Sequence, residues 1–315
     1  NLVRFAAIMN DKDRAAGRSG VGAVMGSKNL KAIVVRGKEK IALADPDKFK
    51  AFNHDILKAF KESIKEAPLG LTVNGTAGVV LTTNLLGVLP TKNWQQGTFD
   101  NWENIHGETL TKKYLVSNKA CYACPIGCGR KTKVEEPGFQ GEGEGPEYET
   151  IYAMGSNCMI DNLAAIAKAN FLCNEFGLDT ITMGATVACA MELFEKGFLS
   201  EKEVGQPLNW GDGDALVELT RQTALCKGFG ERLAQGSFRL ADSVGHPELA
   251  MVSKKQEFPG YDPRGAQAMG LAYATSPIGG SHMRGDPAYF ELFGIPQPMD
   301  PLVWKGKAKP TKSFQ

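Results

Sequence analysis

At 315 residues, with 43% hydrophobic residues and 36 Lys+Arg set against 35 Asp+Glu, the chain is sized for about two domains and carries a formal charge of +1. That balance excludes the basic field of a nucleic-acid binder and the acidic tail of a solvating segment, and no apolar run approaches a membrane span. Seven cysteines, an odd number with three close together, argue against a secreted disulfide framework and for a reducing, cytoplasmic setting. The chain opens on Asn1-Leu2-Val3-Arg4-Phe5, without Met or a signal peptide, and is expected to be cut from a longer protein.

Leu2 to Met9 and Leu30 to Val35 are short β-rich runs bounded by Gly and polar residues, so residues 1–42 read as the end of a sheet domain. Between them, Arg14 to Lys28 carries four glycines (17, 20, 22 and 26) and three cations in fifteen residues. Glycines let backbone N–H groups approach an anion, and Arg holds phosphate with two parallel hydrogen bonds. A phosphate-bearing cofactor is the preferred reading, against a packed turn. The segment is neither a Walker loop, its Gly22–Gly26 spacing being one residue short, nor a dinucleotide fingerprint, because the clear strand follows it.

Asp45-Pro46 offers an N-cap and a first-turn Pro. Phe49, Phe52, Ile56, Phe60 and Ile64 then follow at helical spacing, an amphipathic helix ending before Pro68. Cys121-Tyr-Ala-Cys124-Pro-Ile-Gly-Cys128 places three soft ligands on one tight loop. Structural zinc wants four protein ligands and a [4Fe–4S] cluster usually wants four cysteines, so a fourth must come from far away or from outside the chain. The bland alternative is three unrelated surface thiols. Lys131 to Gly145 reads as a polar surface excursion.

Gly145-Pro-Glu147-Tyr148-Glu149 puts two carboxylates and a phenol at a helix start; one is a general base if partly buried, or else both only compensate the helix dipole. Helices are expected near 161–176, 180–196, 214–227 and 230–244, with Asp161 and Asp179 as N-caps and Gly197 as a stop. Of the histidines, His54 falls in the amphipathic helix and His106 and His246 in polar loops. His282 follows two glycines and precedes Arg284, in a loop open to a ligand. Cys158, Cys173, Cys189 and Cys226 read as core thiols. Residues 43–251 form a mainly helical domain carrying the cysteine loop, and 252–315 begin a third unit, giving an α+β chain.

Together, Phe5 to Asp11, Arg14 to Arg18 with Gly22 to Ile33, Cys121 to Arg130, Gly145 to Glu149, Gly177 to Thr180 and Tyr261 to Gly265 resemble the tungsten- and molybdopterin-dependent aldehyde:ferredoxin oxidoreductase family, over the middle of its length. The resemblance implies that fold, the end of a β-sheet domain followed by mainly α-helical domains. It implies a tungsten or molybdenum bis-molybdopterin whose phosphates are bridged by magnesium, with Arg14, Ala15, Gly17 and Arg18 at the phosphates. Leu178 and Asp179 belong to a pterin loop that starts at Asn174, where the family usually has Asp, and Arg284 is a further basic contact. Cys121, Cys124 and Cys128 would hold three irons of a [4Fe–4S] cluster, with the fourth cysteine beyond Gln315. Glu149 as proton acceptor and His282 as hydrogen-bond donor would act beside the metal, with Tyr148 and Thr180 lining the pocket.

The implied partners are a small aldehyde and ferredoxin or an iron–sulfur/flavin subunit, in an oligomer without nucleic acid or a membrane span. Two further departures from the family pattern bear on this: Ile278 replaces an Arg of some members, and Lys168-Ala-Asn-Phe171 lacks a metal motif found at the dimer interface of an archaeal member. A sister enzyme reducing an aromatic acyl thioester or oxidising a sugar-phosphate aldehyde, and a non-catalytic iron–sulfur or zinc module, are the alternatives.

Overall fold

A computed structural model describes residues 3–66, 70–295 and 297–315; Leu2 and Pro68, and the side chain of Ile64, lie outside what it describes. In chain order the elements begin with β1 (Ile8–Asn10), β2 (Arg14–Ala16), α1 (Val21–Ser27), α2 (Pro46–Glu66), α3 (Gly70–Asn74), α4 (Val79–Leu85), α5 (Trp102–Ile105), α6 (Gly107–Tyr114), β3 (Leu115–Lys119), β4 (Gly129–Val134) and β5 (Gly141–Glu144). They continue with α7 (Tyr148–Met154), α8 (Leu163–Phe176), α9 (Thr180–Glu195), α10 (Glu201–Val204), α11 (Gly213–Leu225), α12 (Gly230–Leu233), α13 (Ser237–Asp242), β6 (Val252–Ser253), β7 (Gln256–Glu257), α14 (Gln267–Thr275), α15 (Ala288–Glu291) and α16 (Ala308–Phe314). The fold is α+β, as the sequence indicates.

The core is built around α9, whose residues from Ile181 to Leu193 are buried all round. Small residues make this possible. A Cβ at Gly184 would lie 2.6 Å from the Ala153 carbonyl oxygen, so α7 and α9 touch backbone to backbone there. The large residues that fill the surrounding space, Ile151, Met154, Ile166, Met183 and Met191, are fully buried, each stabilising the fold by about 1.5–3 kcal/mol. Asp179 caps α9 through its Oδ1, which accepts from the Ile181 N–H at 3.0 Å. Asn162 rather than Asp161 caps α8, accepting from Ala164 and Ala165; Asp161 instead accepts from the amides of Asn101 and Asn104.

Several local expectations change. Lys131 to Gly145 is not a polar excursion but most of a three-stranded antiparallel sheet, β3-β4-β5. Thr132 and Val134 point inward, and Gly141 and Gly143 let the Phe171 ring of α8 lie on the strand: a Cβ at Gly141 would meet it at 2.6 Å. The expected strand Leu30 to Val35 forms no ladder; Val34 and Val35 are exposed, because a strand needs a neighbour and none is present among the described residues. Of the described residues from Val3 to Met9, only Ile8 and Met9 enter a ladder strand, β1. The expected 230–244 helix breaks at Gly236 (φ 83), which frees the Ser237 N–H to reach the Glu257 carboxylate at 3.0 Å. α2 is capped by Asp45 as expected, yet its Phe49, Phe52 and Ile56 row is exposed. His106 lies in the connection between α5 and α6 as expected, but is buried there, and its ring nitrogen caps α6.

The N-terminal segment is sewn onto the helical core. The Ala7 N–H donates to the Gly177 carbonyl (2.8 Å) and the Asp179 N–H to that of Phe5 (3.1 Å). Arg18 closes the seam. Its Nε pairs with Asp179 Oδ2 at 3.0 Å, and its two Nη atoms donate to the Gly280 and Glu257 carbonyls, each at 2.7 Å. Replacing Arg18 by Met strands a buried carboxylate and two carbonyls and is expected to cost about 3–5 kcal/mol in urea unfolding; a loss under about 1 kcal/mol would refute the role of this contact.

Candidate active site

Glu149 sits in the first turn of α7, where an acidic residue ordinarily faces water and the helix dipole. Here it faces inward. Its Oε2 accepts from the Gly260 N–H at 2.9 Å. Its Oε1 is buried without a hydrogen-bond partner among the described residues, 4.0 Å from His282 Nδ1, which is likewise buried and unpartnered among them.

Tyrosines of α7 and α14 line this place. The hydroxyl of Tyr152 donates to the Phe258 carbonyl at 2.6 Å, that of Tyr273 lies 3.0 Å from the Tyr261 carbonyl, and that of Tyr148 donates to the Gly260 carbonyl. Gly260 is required there, since a Cβ would come within 2.7 Å of the Tyr152 ring.

The electrostatics follow from this burial. Desolvation pushes the Glu149 carboxyl up to about 8; the Gly260 N–H and Arg18 oppose the shift, and Asp286 and Asp179 add to it. Burial and the nearby Arg18 push His282 down to about 4. At neutral pH the close contact is therefore between two uncharged groups, one holding a removable proton. Asp286, on the same loop as His282, is pushed up to about 7 by burial, and its Oδ1 is also buried without a partner among the described residues.

A second cluster lies around the cysteines. Cys121, Cys124 and Cys128 are free thiols on the β3–β4 connection, shaped by positive φ at Ala123 and Gly127 and by the Cys124 N–H donating to the Cys121 carbonyl at 3.0 Å. Thr72 of α3 holds the loop through the Ile126 carbonyl (3.0 Å). Arg14 lies close enough for both Cys121 and Cys128 to act on its guanidinium, which is ion-paired to Glu144 and to Glu147 Oε1 (3.4 Å). Burial and then Glu147 push the Cys128 thiol up, with Arg14 opposing. Three thiols beside a guanidinium suit an iron–sulfur cluster chemically, although among the described residues no three His, Cys, Asp or Glu side chains converge on a metal position.

The remaining expected site residues are dispersed. Ala15 pairs with Met9 in the β1–β2 ladder, and Gly17 directly follows it. Arg18 uses three of its N–H groups on protein acceptors. Leu178 is buried and bridges Ala6. Thr180 accepts a hydrogen bond from Thr150 at 2.7 Å. Tyr148 is buried in the wall. Asn174 lines a separate groove of about 510 Å³ with Lys12, Glu142 and Phe171. Arg284 is exposed and makes no hydrogen bond or ion pair among the described residues. Cys158, Cys173 and Cys189 are buried and Cys226 partly so. Sequence reasoning missed Gly260 and Asp286; the available signals were two short turns, Pro259-Gly260 and Gly285-Asp286-Pro287.

The profile described as aldehyde ferredoxin oxidoreductase, domains 2 and 3, matches residues 55–315, and that of the family's N-terminal domain matches residues 1–37. The chain belongs to the aldehyde ferredoxin oxidoreductase family. It is 49% identical to the tungsten-containing aldehyde ferredoxin oxidoreductase of Pyrococcus furiosus and 48% identical to that of Thermococcus kodakarensis, in each case over 96% of this chain and 49% of the relative. It is 33% identical to the WOR-like subunit of an aliphatic sulfonate oxidoreductase of Pyrococcus furiosus, over 81% of this chain and 40% of that one. The chain thus spans about half the length of the curated relatives it matches. Among solved structures, the active-site complex BamBC of benzoyl coenzyme A reductase, in complex with 1,5-dienoyl-CoA, shares the fold at a TM-score of 0.73 and 23% identity, over 90% of this chain and 45% of that one.

Burial of a neutral acid in this member of the family has a measurable consequence. A carboxyl raised in the folded state is ionised first in the unfolded state, so wild-type stability falls as pH rises from about 4.5 to about 8. Glu149→Gln removes that slope. The stability difference in favour of Gln should be absent near pH 4 and reach a few kcal/mol by pH 8, each pKa unit being worth about 1.4 kcal/mol. Parallel unfolding curves for the two proteins across this range would show that Glu149 is not held neutral.

Proposed function

We propose that the protein carrying this chain oxidises aldehydes to carboxylates at a tungsten, or molybdenum, bis-molybdopterin centre, passing electrons through a [4Fe–4S] cluster to ferredoxin or an electron-transfer subunit. The observation that carries the reading is the pair of unpartnered buried atoms Glu149 Oε1 and His282 Nδ1, 4.0 Å apart. A buried polar atom left unsatisfied costs free energy unless something polar occupies the space beside it. The residues fit a group bound there. On this reading Arg14, Ala15, Gly17 and Arg18 stand toward the pterin phosphates and their magnesium, and Asn174, Leu178, Asp179 and Arg284 toward the pterin rings. Cys121, Cys124 and Cys128 supply three cluster ligands. A cytoplasmic location and an oligomeric assembly belong to the same reading; no helix among the described residues is long and apolar enough to cross a membrane.

The chemistry such a centre supplies is two-electron oxidation at the carbonyl carbon, with the cluster as a one-electron outlet. The protein's own part is proton handling and exclusion of water. An aldehyde and one water give a carboxylic acid, two protons and two electrons. Ionised Glu149, fixed by the Gly260 N–H on its other oxygen, accepts a proton from the water as it adds to the carbonyl. Neutral His282 donates its ring N–H to the substrate oxygen. Tyr148 and Thr180 border the space, and the tyrosine wall excludes bulk solvent, which strengthens both interactions.

Because Glu149 must be ionised to act, kcat should rise with unit slope as pH approaches about 8. In the metal-loaded protein, Glu149→Gln should lower kcat by about 10²–10⁴ with an aldehyde panel and an artificial one-electron acceptor. Failure of every aldehyde to give a carboxylate would sink the proposal. Reduction of an aromatic acyl thioester instead would favour the sister activity. A second test concerns the cluster: Cys124→Ser should strip most of the iron and the visible iron–sulfur absorbance. Stoichiometric zinc with no such absorbance in the unaltered protein would point to a non-catalytic module.

A further inference from the structure

Two of the cations around the Cys121–Cys128 loop have carboxylate partners. Arg14 is paired with Glu144 and Glu147, and Lys119 with Asp13 and Glu144. A third, Arg130, lies two residues after Cys128 in β4 and is only 3% exposed. It has no carboxylate partner among the described residues; its bonds go to an amide and two carbonyls. Glu147 acts on it at longer range but is bonded to Arg14 and Thr76. A guanidinium kept from water without a counter-charge is costly.

Those bonds also leave one donor over. Arg130 Nη1 donates to the Asn118 side-chain oxygen, and Nη2 to the Leu71 and Thr72 carbonyls at 2.9 and 2.7 Å. Holding these carbonyls of α3 is a structural task, and it accounts for both Nη atoms. It does not account for the missing negative charge, nor for Nε, which is buried without a hydrogen-bond partner among the described residues.

The spare donor lies on the cysteine side. A Cβ on Gly75 would stand 2.9 Å from Arg130 Nε and 2.8 Å from the Cys128 carbonyl oxygen, so both meet on the same glycine. Thr72, whose carbonyl Arg130 holds, donates its hydroxyl to the Ile126 carbonyl, midway between Cys124 and Cys128. An iron–sulfur cluster held by thiolates is a net anion, and its potential follows nearby charge and hydrogen bonds to sulfur.

We propose that Arg130 is the counter-cation of the iron–sulfur centre and donates its free Nε–H to sulfur there. Each electron taken up adds one negative charge, so a fixed cation favours the reduced form and raises the potential. Arg14, already neutralised by two carboxylates, is less suited to that task. Arg130 touches no substrate and acts through the cluster alone.

The inference rests on the iron–sulfur part of the function proposed above, and the unaltered protein tests that part separately. Gln at this position keeps an N–H donor for the α3 carbonyls but no charge, whereas Lys keeps the charge and loses the fork. In the full protein loaded with its cofactors, EPR-monitored titration should show the one-electron reduction constant of Arg130→Gln lowered ten-fold, a midpoint shift of about 59 mV. Arg130→Lys should stay close to the unaltered protein. Release of iron to a chelator should be several-fold faster in Arg130→Gln and little changed in Arg130→Lys. An unmoved midpoint in Arg130→Gln, or equal shifts in both variants, would overturn the assignment. Iron uptake by Arg130→Lys but not Arg130→Gln would support it, and failure of both to take up iron would count against it. An unaltered protein with neither iron–sulfur absorbance nor an EPR signal would instead overturn the cluster reading, and the role of Arg130 with it.

Discussion

A buried guanidinium cannot be left unpaired in a low-dielectric interior, and Arg18 meets that demand by drawing four distant parts of the chain to one point. Its own segment follows β2; Asp179 caps α9; the Glu257 carbonyl belongs to β7; the Gly280 carbonyl begins the loop that carries His282. Asp179 serves twice, holding the α9 N-terminus with Oδ1 and Arg18 with Oδ2. Behind it, the Thr182 hydroxyl lies 2.8 Å from both the Asp179 and Glu257 carboxylates, and Ser237 holds the other oxygen of Glu257. The position of His282 therefore depends on a cation more than 260 residues away in sequence.

The same packing dictates the chemistry. Tyrosine hydroxyls of α7 and α14 hold the carbonyls of the Phe258–Tyr261 segment, which leaves the Gly260 N–H to point at Glu149. One hydrogen bond is too little to offset desolvation, so the acid stays protonated at neutral pH, and Arg18 helps keep the neighbouring imidazole uncharged. A largely buried acid and imidazole with shifted titration are costly to keep, and such costs cluster at reactive sites.

The parts legible in the sequence are those governed by neighbouring residues. Asp45 and Asp179 as caps, the long helices and the tight cysteine loop all follow from local chemistry. So does Glu149 as a candidate base at a helix start; that its side chain faces inward depends on Gly260, 111 residues on. What sequence concealed depends on partners far along the chain. The β4–β5 hairpin carries Gly141 and Gly143 where the Phe171 ring lies on it, and such glycines read locally as loop. Leu30 to Val35 has strand composition without a neighbour to pair with. Asp286 is marked in the sequence only by the short turn Gly285-Asp286-Pro287, and its raised carboxyl comes from burial.

The dependence of this arrangement on one buried cation is open to direct measurement by a double-mutant cycle of Arg18→Met and Asp179→Asn in urea unfolding, with Asn retaining the helix cap. If the clasp holds the site together, the single losses should be far from additive, with a coupling of at least about 2 kcal/mol. Additivity to within about 0.5 kcal/mol would mean that Arg18 and Asp179 act independently and that the site is held by its other contacts.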